Sequence, residues 1–124
     1  MRAVVFYLIA VSWAVFWVDC ASCAEFERNR IDVESLANAI FQAEGGFKAV
    51  KPFGILSVPC DGYTECRQIC LNTIRNNYSR WQKAGNPGDF ISYLGSRYAP
   101  IGASNDPRGL NSNWVRNVKA IYNG

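Results

Sequence analysis

Apolar residues recur every three or four positions in four segments of this chain, and glycine and proline clusters separate the segments. This spacing is typical of amphipathic helices that bury one face. The four segments are Val33 to Phe41, Cys66 to Trp81, Phe90 to Leu94 and Trp114 to Tyr122. The stretches 47–63 and 98–110 lack the pattern and are rich in turn-forming residues. The sequence therefore predicts a small, mainly α domain with four helices and two long structured loops.

The predicted helix ends follow from residues that cap or break helices. Asp32, Asp89 and Asn111 stand where N-caps are expected, and the second helix is predicted to begin at Thr64. Gly45-Gly46 and Gly95 stand just past the last apolar residue of the first and third helices. Loops as long as the two between these helices usually carry function in a compact domain.

The N-terminus has the pattern of an export signal. Arg2 precedes sixteen uncharged residues, Ala3 to Val18, and the small residues Ser22 and Ala24 mark a cleavage site before Glu25. The uncharged run is short for a bilayer, which needs about 20 apolar residues. We expect residues 1–24 to be a cleaved signal peptide, with an uncleaved anchor as the alternative and the only membrane contact. In both cases the domain 25–124 works outside the cytoplasm, in the periplasm or secreted.

Three cysteines remain in the predicted domain: Cys60, Cys66 and Cys70. In an oxidising compartment they indicate a disulfide rather than a metal site, because their spacing lacks a second Cys-x-x-Cys or any histidine. Cys66 and Cys70 share a helix face, and one of them is expected to pair with Cys60. The sequence does not choose between them, and the remaining thiol is either buried or reactive.

Composition narrows the chemistry that the domain can perform. The chain has no histidine, which excludes histidine triads, histidine general bases and histidine metal sites. A net charge of +3 is too small to indicate a nucleic-acid partner, although it suits an anionic polymer. We expect no metal and no cofactor, so acid–base chemistry falls to Asp, Glu, Lys, Tyr or Cys.

Glu44 is the strongest candidate for that chemistry. It ends the first predicted helix on the apolar side, where the helix dipole disfavours a negative charge by roughly 0.3–1 kcal/mol. Partial burial there also disfavours ionisation, and both effects raise the pKa as a general acid requires. The alternative is that Glu44 turns outward and pairs with Lys48.

The order and spacing of several short motifs resemble the lysozyme-like superfamily, in particular the small lytic transglycosylases of phage, prophage or secretion-associated type. The similarity covers roughly residues 33–122. It differs from the usual family pattern at Gly45, where serine is common, and at Ser57, where glutamine is common. The motifs are Ala43-Glu44-Gly45-Gly46, Gly54-Ile55-Leu56-Ser57, Arg97-Tyr98-Ala99-Pro100, Asn105-Asp106-Pro107 and Leu110-Asn111 followed by Asn113-Trp114.

The resemblance implies cleavage of the linkage between N-acetylmuramic acid and N-acetylglucosamine in peptidoglycan. It implies that Glu44 alone protonates the glycosidic oxygen, that the substrate's N-acetyl group stabilises the positive centre, and that Tyr98 lines the cleft near the acid. The Tyr98 hydroxyl is expected to bond Glu44 or the substrate acetamido group. No second carboxylate is then required, and Asp61 and Asp106 have turn-forming explanations.

Sugar clefts use aromatic faces and polar side chains, of which the loops offer several. Trp81 and Trp114 are assigned to the core by their helical spacing, and Lys51 and Arg97 are candidates to attract lactyl or stem-peptide carboxylates. The residues predicted to bind substrate are Phe53, Ser57, Tyr63, Tyr93, Tyr98, Asn105 and Asn113.

Two functions from different classes remain. The first is a peptidoglycan lytic transglycosylase or lysozyme-type hydrolase acting on glycan strands. The second is a non-catalytic lysozyme-like module that binds glycan or forms part of an envelope, virion or secretion assembly. Because Gly45 and Ser57 differ from the usual family pattern, the non-catalytic module remains an alternative.

Overall fold

The computed structural model describes residues 30–124, which include all four predicted helices. The helices are α1 (Val33–Ala43), α2 (Gly62–Lys83), α3 (Phe90–Tyr98) and α4 (Trp114–Tyr122), with short 3₁₀ helices at Gly46–Lys48, Pro52–Gly54 and Leu110–Asn113. Within the described residues there is no β-strand. The prediction of a mainly α domain is confirmed. The signal peptide or anchor predicted for residues 1–24 lies outside the described residues.

Helix α1 begins as its sequence predicts. The Asp32 carboxylate accepts hydrogen bonds from the backbone N–H groups of Glu34 and Ser35, at 3.1 and 3.2 Å. These bonds satisfy donors that have no partner inside the helix. Leu36 and Ile40, four residues apart, are both completely buried and form one apolar stripe.

Helix α2 begins two residues before its predicted start and is tied to the preceding loop by a disulfide. Asp61 is the N-cap residue, and its backbone N–H donates to the Glu65 carboxylate at 2.7 Å. The disulfide joins Cys60 to Cys66, which settles the pairing that the sequence left open. Cys70 is a free thiol, and it is buried in the core.

Helix α3 is longer than predicted. Asp89 caps it through a bond from the Ser92 N–H, as expected, but the helix continues through Gly95 to Tyr98. Gly95 is therefore an internal helix residue, and the expectation that it ends the helix is wrong. Its role is packing, because a Cβ atom there would lie 2.5 Å from Cγ2 of Val115 in α4.

The predicted cap of α4 is also wrong. A 3₁₀ helix, Leu110–Asn113, precedes Trp114, and the Asn111 side chain donates to the Pro100 carbonyl at 2.9 Å. Asn111 thus closes the second loop on itself.

The four helices form a ring around a single core. α1 and α3 each pack against both α2 and α4, and the 3₁₀ helix Pro52–Gly54 packs against α1 and α2. The hydroxyl of Tyr122 in α4 accepts a hydrogen bond from the Asp32 N–H at the start of α1. Because the start of α1 meets the end of α4, the C-terminal end of α1 lies beside the start of α4 and the second loop. Among residues 30–124, no helix is both long and apolar enough to cross a membrane.

Candidate active site

Glu44 lies where α1 ends and the chain turns sharply. Its backbone N–H donates to the Ile40 carbonyl at 2.9 Å, and the next residue, Gly45, has a φ of 100°, which favours glycine. The side chain is half-buried and does not turn outward to Lys48. Its Oε1 atom accepts a hydrogen bond from the indole Nε1–H of Trp114 at 2.7 Å.

Burial sets the protonation of this carboxyl group. Loss of solvent raises the pKa of Glu44 above its ordinary value, and the hydrogen bond from Trp114 opposes that rise. The balance favours the protonated form over a wider pH range than an exposed glutamate would show. A raised pKa is the direction that a carboxyl group needs in order to act as a general acid.

The Glu44 carboxyl group lies close to Gly54 on the first loop. A Cβ atom built on Gly54 would lie 2.5 Å from both Cδ and Oε2 of Glu44, and the φ of Gly54 is +65°. A residue with a side chain would therefore clash with the acid and also strain the backbone. The glycine of the Gly54-Ile55-Leu56-Ser57 motif is thus explained by this close approach.

Tyr98 lies beside the acid but does not bond to it. Its hydroxyl donates to the Phe53 carbonyl oxygen, and its ring stacks on Trp114 with centroids 5.2 Å apart and planes 26° apart. The predicted hydrogen bond from Tyr98 to Glu44 is therefore not made. Burial raises the pKa of Tyr98 far above its ordinary value, so the hydroxyl stays protonated.

Glu44 opens onto a cavity of about 450 Å³, which we call the Glu44 cleft. Its walls come from the first loop, the end of α3 and the second loop. The lining residues are Glu44, Ala49, Val50, Lys51, Gly54, Leu56, Tyr98, Ala99, Pro100, Asn105, Asp106, Leu110 and Asn111.

A second cavity of about 210 Å³, the side pocket, shares Gly54, Leu56, Tyr98 and Asn105 with the cleft. Its other lining residues are Ile55, Ser57, Val58, Ile69, Thr73 and Arg97. The two cavities adjoin at these shared residues, and we call them together the recess.

Three of the predicted substrate-binding residues lie on this recess. Tyr98 and Asn105 line both cavities, and Ser57 lines the side pocket. The candidate cations Lys51 and Arg97 also lie there, Lys51 on the cleft and Arg97 on the side pocket.

The other four predicted binding residues lie elsewhere. Phe53 is completely buried, so its ring cannot meet a sugar and that expectation is wrong. Tyr63 packs against Phe53 with ring centroids 5.5 Å apart, Tyr93 is half-buried against the core, and the Asn113 side chain accepts from Arg116. None of these four lines either cavity.

The other two loop carboxylates differ in position. Asp106 lines the Glu44 cleft, but its two oxygens accept hydrogen bonds from the N–H groups of Leu110 and Asn111, each at 2.8 Å. It therefore holds its own loop, as predicted. Asp61 occupies the N-cap position of α2, where its side chain makes no capping hydrogen bond, and it lines neither cavity.

Trp114 is the site residue that the sequence analysis missed. It is buried, as predicted, but its indole N–H is a direct partner of Glu44 from a position 70 residues further along the chain. Helical spacing identifies the buried face of Trp114 and carries no signal for the direction of its N–H group.

In the described part of the chain, no three His, Cys, Asp or Glu side chains are grouped so that they could hold a metal ion. No protein-family model, curated protein or solved structure matches this chain. The function of the site is therefore inferred from its residues and geometry.

Proposed function

We propose that the protein is a peptidoglycan-cleaving lytic transglycosylase or muramidase of lysozyme-like fold, with Glu44 as its single general acid and base. One observation carries the proposal. A carboxyl group whose pKa is raised by burial still opens onto a cleft of about 450 Å³. A buried carboxyl in a structural role does not require such an opening.

The reaction that follows from this arrangement has two steps. Glu44 gives its proton to the glycosidic oxygen, the bond from that oxygen to the sugar's anomeric carbon breaks, and the substrate's acetamido oxygen bonds to that carbon. The Glu44 carboxylate then takes a proton from the sugar's own hydroxymethyl group or from water as that oxygen attacks the same carbon. The bond from that carbon to the acetamido oxygen breaks in the same step, which regenerates the acetamido group. The carboxyl group is thereby restored, and no second carboxylate takes part.

The surroundings of the acid support a carbohydrate substrate. Asn105 and Asn111 supply amide groups along the cleft, and Tyr98 supplies an aromatic side chain. Lys51 and Arg97 supply cationic groups along the recess, where lactyl or stem-peptide carboxylates of the glycan would gain from them. On this proposal the enzyme acts outside the cytoplasm, in the periplasm or secreted, on glycan strands.

The test compares clearing of purified cell walls by the full chain and two variants. Glu44→Gln is expected to lose at least about 100-fold in rate, because removing a general acid costs roughly that factor or more. Asp61→Asn makes the same chemical change at a loop carboxylate that forms no capping hydrogen bond and lines neither cavity, so it should keep most of the activity. A folded Asp61→Asn that loses activity as completely as Glu44→Gln would contradict a single-carboxylate mechanism.

Mass analysis of the released fragments distinguishes the two outcomes of the second step. An anhydro sugar end shows that the substrate's hydroxymethyl group attacked, and a reducing end shows that water did. Wild-type protein that is folded, binds walls and releases no fragment of either kind would contradict the enzyme proposal.

A second candidate is a non-catalytic module that binds glycan or packs within a virion or secretion assembly. Three apolar side chains on the cleft favour it, because Val50 is 97% exposed, Leu56 63% and Leu110 55%. Exposed apolar groups gathered in one place often mark contact with another molecule. Wild-type protein that sediments with walls without clearing them would favour this candidate.

A further inference from the structure

Two residues of α3, Gly95 and Tyr98, pack against the Trp114 indole. Only 6% of the residue is exposed, and its ring stacks on Tyr98. A Cβ atom on Gly95 would lie 3.1 and 3.3 Å from Cε3 and Cζ3 of the indole. Glycine inside a helix costs about 1 kcal/mol relative to alanine. Alanine at position 95 would press on Cγ2 of Val115, at 2.5 Å, and on this indole.

The held indole fixes the two oxygens of Glu44 in different roles. Oε1 accepts a hydrogen bond from the Trp114 N–H at 2.7 Å. A proton on Oε1 would compete with that N–H group for the same oxygen. The proton of the neutral acid therefore belongs on Oε2. That atom lies next to Gly54, which lines both cavities.

The geometry points to Trp114 as the positioning residue of the acid, which directs the transferable proton to Oε2, with Gly95 and Tyr98 forming its seat. This inference rests on the proposed function, because it concerns the delivery of a proton to a substrate in the cleft. Trp114 acts through Glu44 and is not itself assigned a contact with substrate.

The same hydrogen bond affects the pKa of Glu44. A donor to the carboxylate favours its charged form, and burial disfavours it. The other titratable groups around Glu44 are Tyr98 on α3, Cys70 on α2, and Lys51 and Asp106 on the loops. Burial keeps Tyr98 and Cys70 neutral near pH 7. Lys51 and Asp106 bring opposite charges to the same cleft. The group that contacts the Glu44 carboxyl directly is the neutral indole N–H of Trp114.

The first measurement needs no change at Trp114. The indole N–H resonances of the full chain, kept in mild detergent because of its apolar N-terminus, are followed by NMR as the pH is varied. The Trp114 proton is expected to shift with the same midpoint as the Glu44 carboxyl carbon, and the shift should vanish in Glu44→Gln. The Trp81 indole donates to the Pro87 and Gly88 carbonyls and should show no such midpoint.

The second measurement removes the donor. Trp114→Phe should raise the titration midpoint of the Glu44 carboxyl carbon, because the carboxylate loses its donor. In wall clearing, the alkaline limb should move to higher pH, since the protonated acid is the active form, and the maximal rate should fall about tenfold from lost orientation. Trp81→Phe is the matched control, since Trp81 is equally buried. It should lower the melting temperature and leave the Glu44 midpoint unchanged.

Gly95→Ala disturbs the packing of the Trp114 ring and leaves both Trp114 and Glu44 in place. It is the second variant to measure if Trp114→Phe does not fold. It should move the Glu44 midpoint in the same direction as Trp114→Phe. A Trp114 N–H resonance that is flat across the Glu44 titration overturns the inference, as does an unchanged Glu44 midpoint in a folded variant. Because the NMR readings need no activity, a protein that clears no walls but shows the coupled midpoint refutes the proposed function alone.

Discussion

Glu44 is held in a position that costs the fold some stability. Its carboxyl group is half-buried at the end of α1, and the donor it meets is a neutral indole rather than a cation. A buried carboxylate without a cation is expensive to ionise, so the residue resists losing its proton. A destabilising burial of this kind is characteristic of residues that are retained for chemistry rather than for stability.

This cost predicts that Glu44→Gln is more stable than wild type above the acid range. The raised pKa means that the folded chain keeps a proton that the unfolded chain loses near its ordinary value of 4.5. Wild-type stability therefore falls as the pH rises from that value through the folded pKa. Glutamine has no charge to bury and can still accept from Trp114.

The measurement is thermal unfolding of both proteins at pH 4 and pH 8. Glu44→Gln should melt a few degrees higher than wild type at pH 8, with a smaller difference at pH 4. A variant that loses its advantage as the pH rises would show that the Glu44 carboxylate is stabilised, rather than penalised, by the fold.

Single residues with local roles could be predicted from the sequence. Asp32 and Asp89 cap helices through bonds to residues two or three positions away, and such bonds depend only on the local chain. The place of Glu44 at a helix end was predicted in the same way, from the local pattern of apolar residues and glycines. Trp114 was assigned only to the core, because its partner lies 70 residues away and local spacing does not record that contact.

At the scale of elements, the first loop depends on two constraints. Gly54 brings its backbone against the acid, and the disulfide Cys60–Cys66 fastens the end of the loop to α2. The residues between them, Ile55 to Val58, line the side pocket. The disulfide thus supports one wall of the recess as well as the fold.

We predict that opening this disulfide destabilises the domain by about 2 kcal/mol, the chain-entropy value for a short closed loop such as this one, with a sequence separation of 6. Chemical unfolding of the oxidised and reduced protein at pH 8 measures the difference. Burial raises the pKa of Cys70 to about 11, so this thiol stays protonated in the folded protein and does not attack the bridge. A folded Cys70→Ala should show the same effect of reductant, and equal midpoints with and without reductant would contradict the prediction.

The helices could be predicted better than their junctions. Apolar spacing located all four, because each buries one stripe against the core. Gly95 was misread as a helix end, since glycine breaks helices by local preference. The packing of α3 against Val115 and Trp114 overrides that preference, and such tertiary packing is invisible in a single segment.

At the scale of the whole molecule, the recess is assembled from parts far apart in sequence. The end of α1 supplies the acid, the first loop one wall, and α3 with the second loop the other. The motif order indicated that these parts belong together. It did not show that Phe53 would be buried, because only the closed ring of helices decides which side of the loop faces inward.

The cations of the recess lead to a prediction for the whole molecule. Lys51 and Arg97 lie on its two adjoining cavities, and the chain carries a net charge of +3. If cell walls are the substrate, their carboxylates are drawn toward this face, and salt should screen the attraction. The double variant Lys51→Glu/Arg97→Glu should clear walls about tenfold more slowly than wild type at roughly 20 mM salt. The difference should shrink to less than about twofold near 0.5 M.

A matched control separates the local field from the overall charge. Arg80→Glu/Lys83→Glu makes the same change in net charge at exposed positions in the last turn of α2, outside both cavities. If the recess attracts the wall, this control should lose much less activity at low salt than the Lys51/Arg97 pair. Equal losses would mean that net charge alone governs association, and the two cations of the recess would then have no special part in recognising the wall.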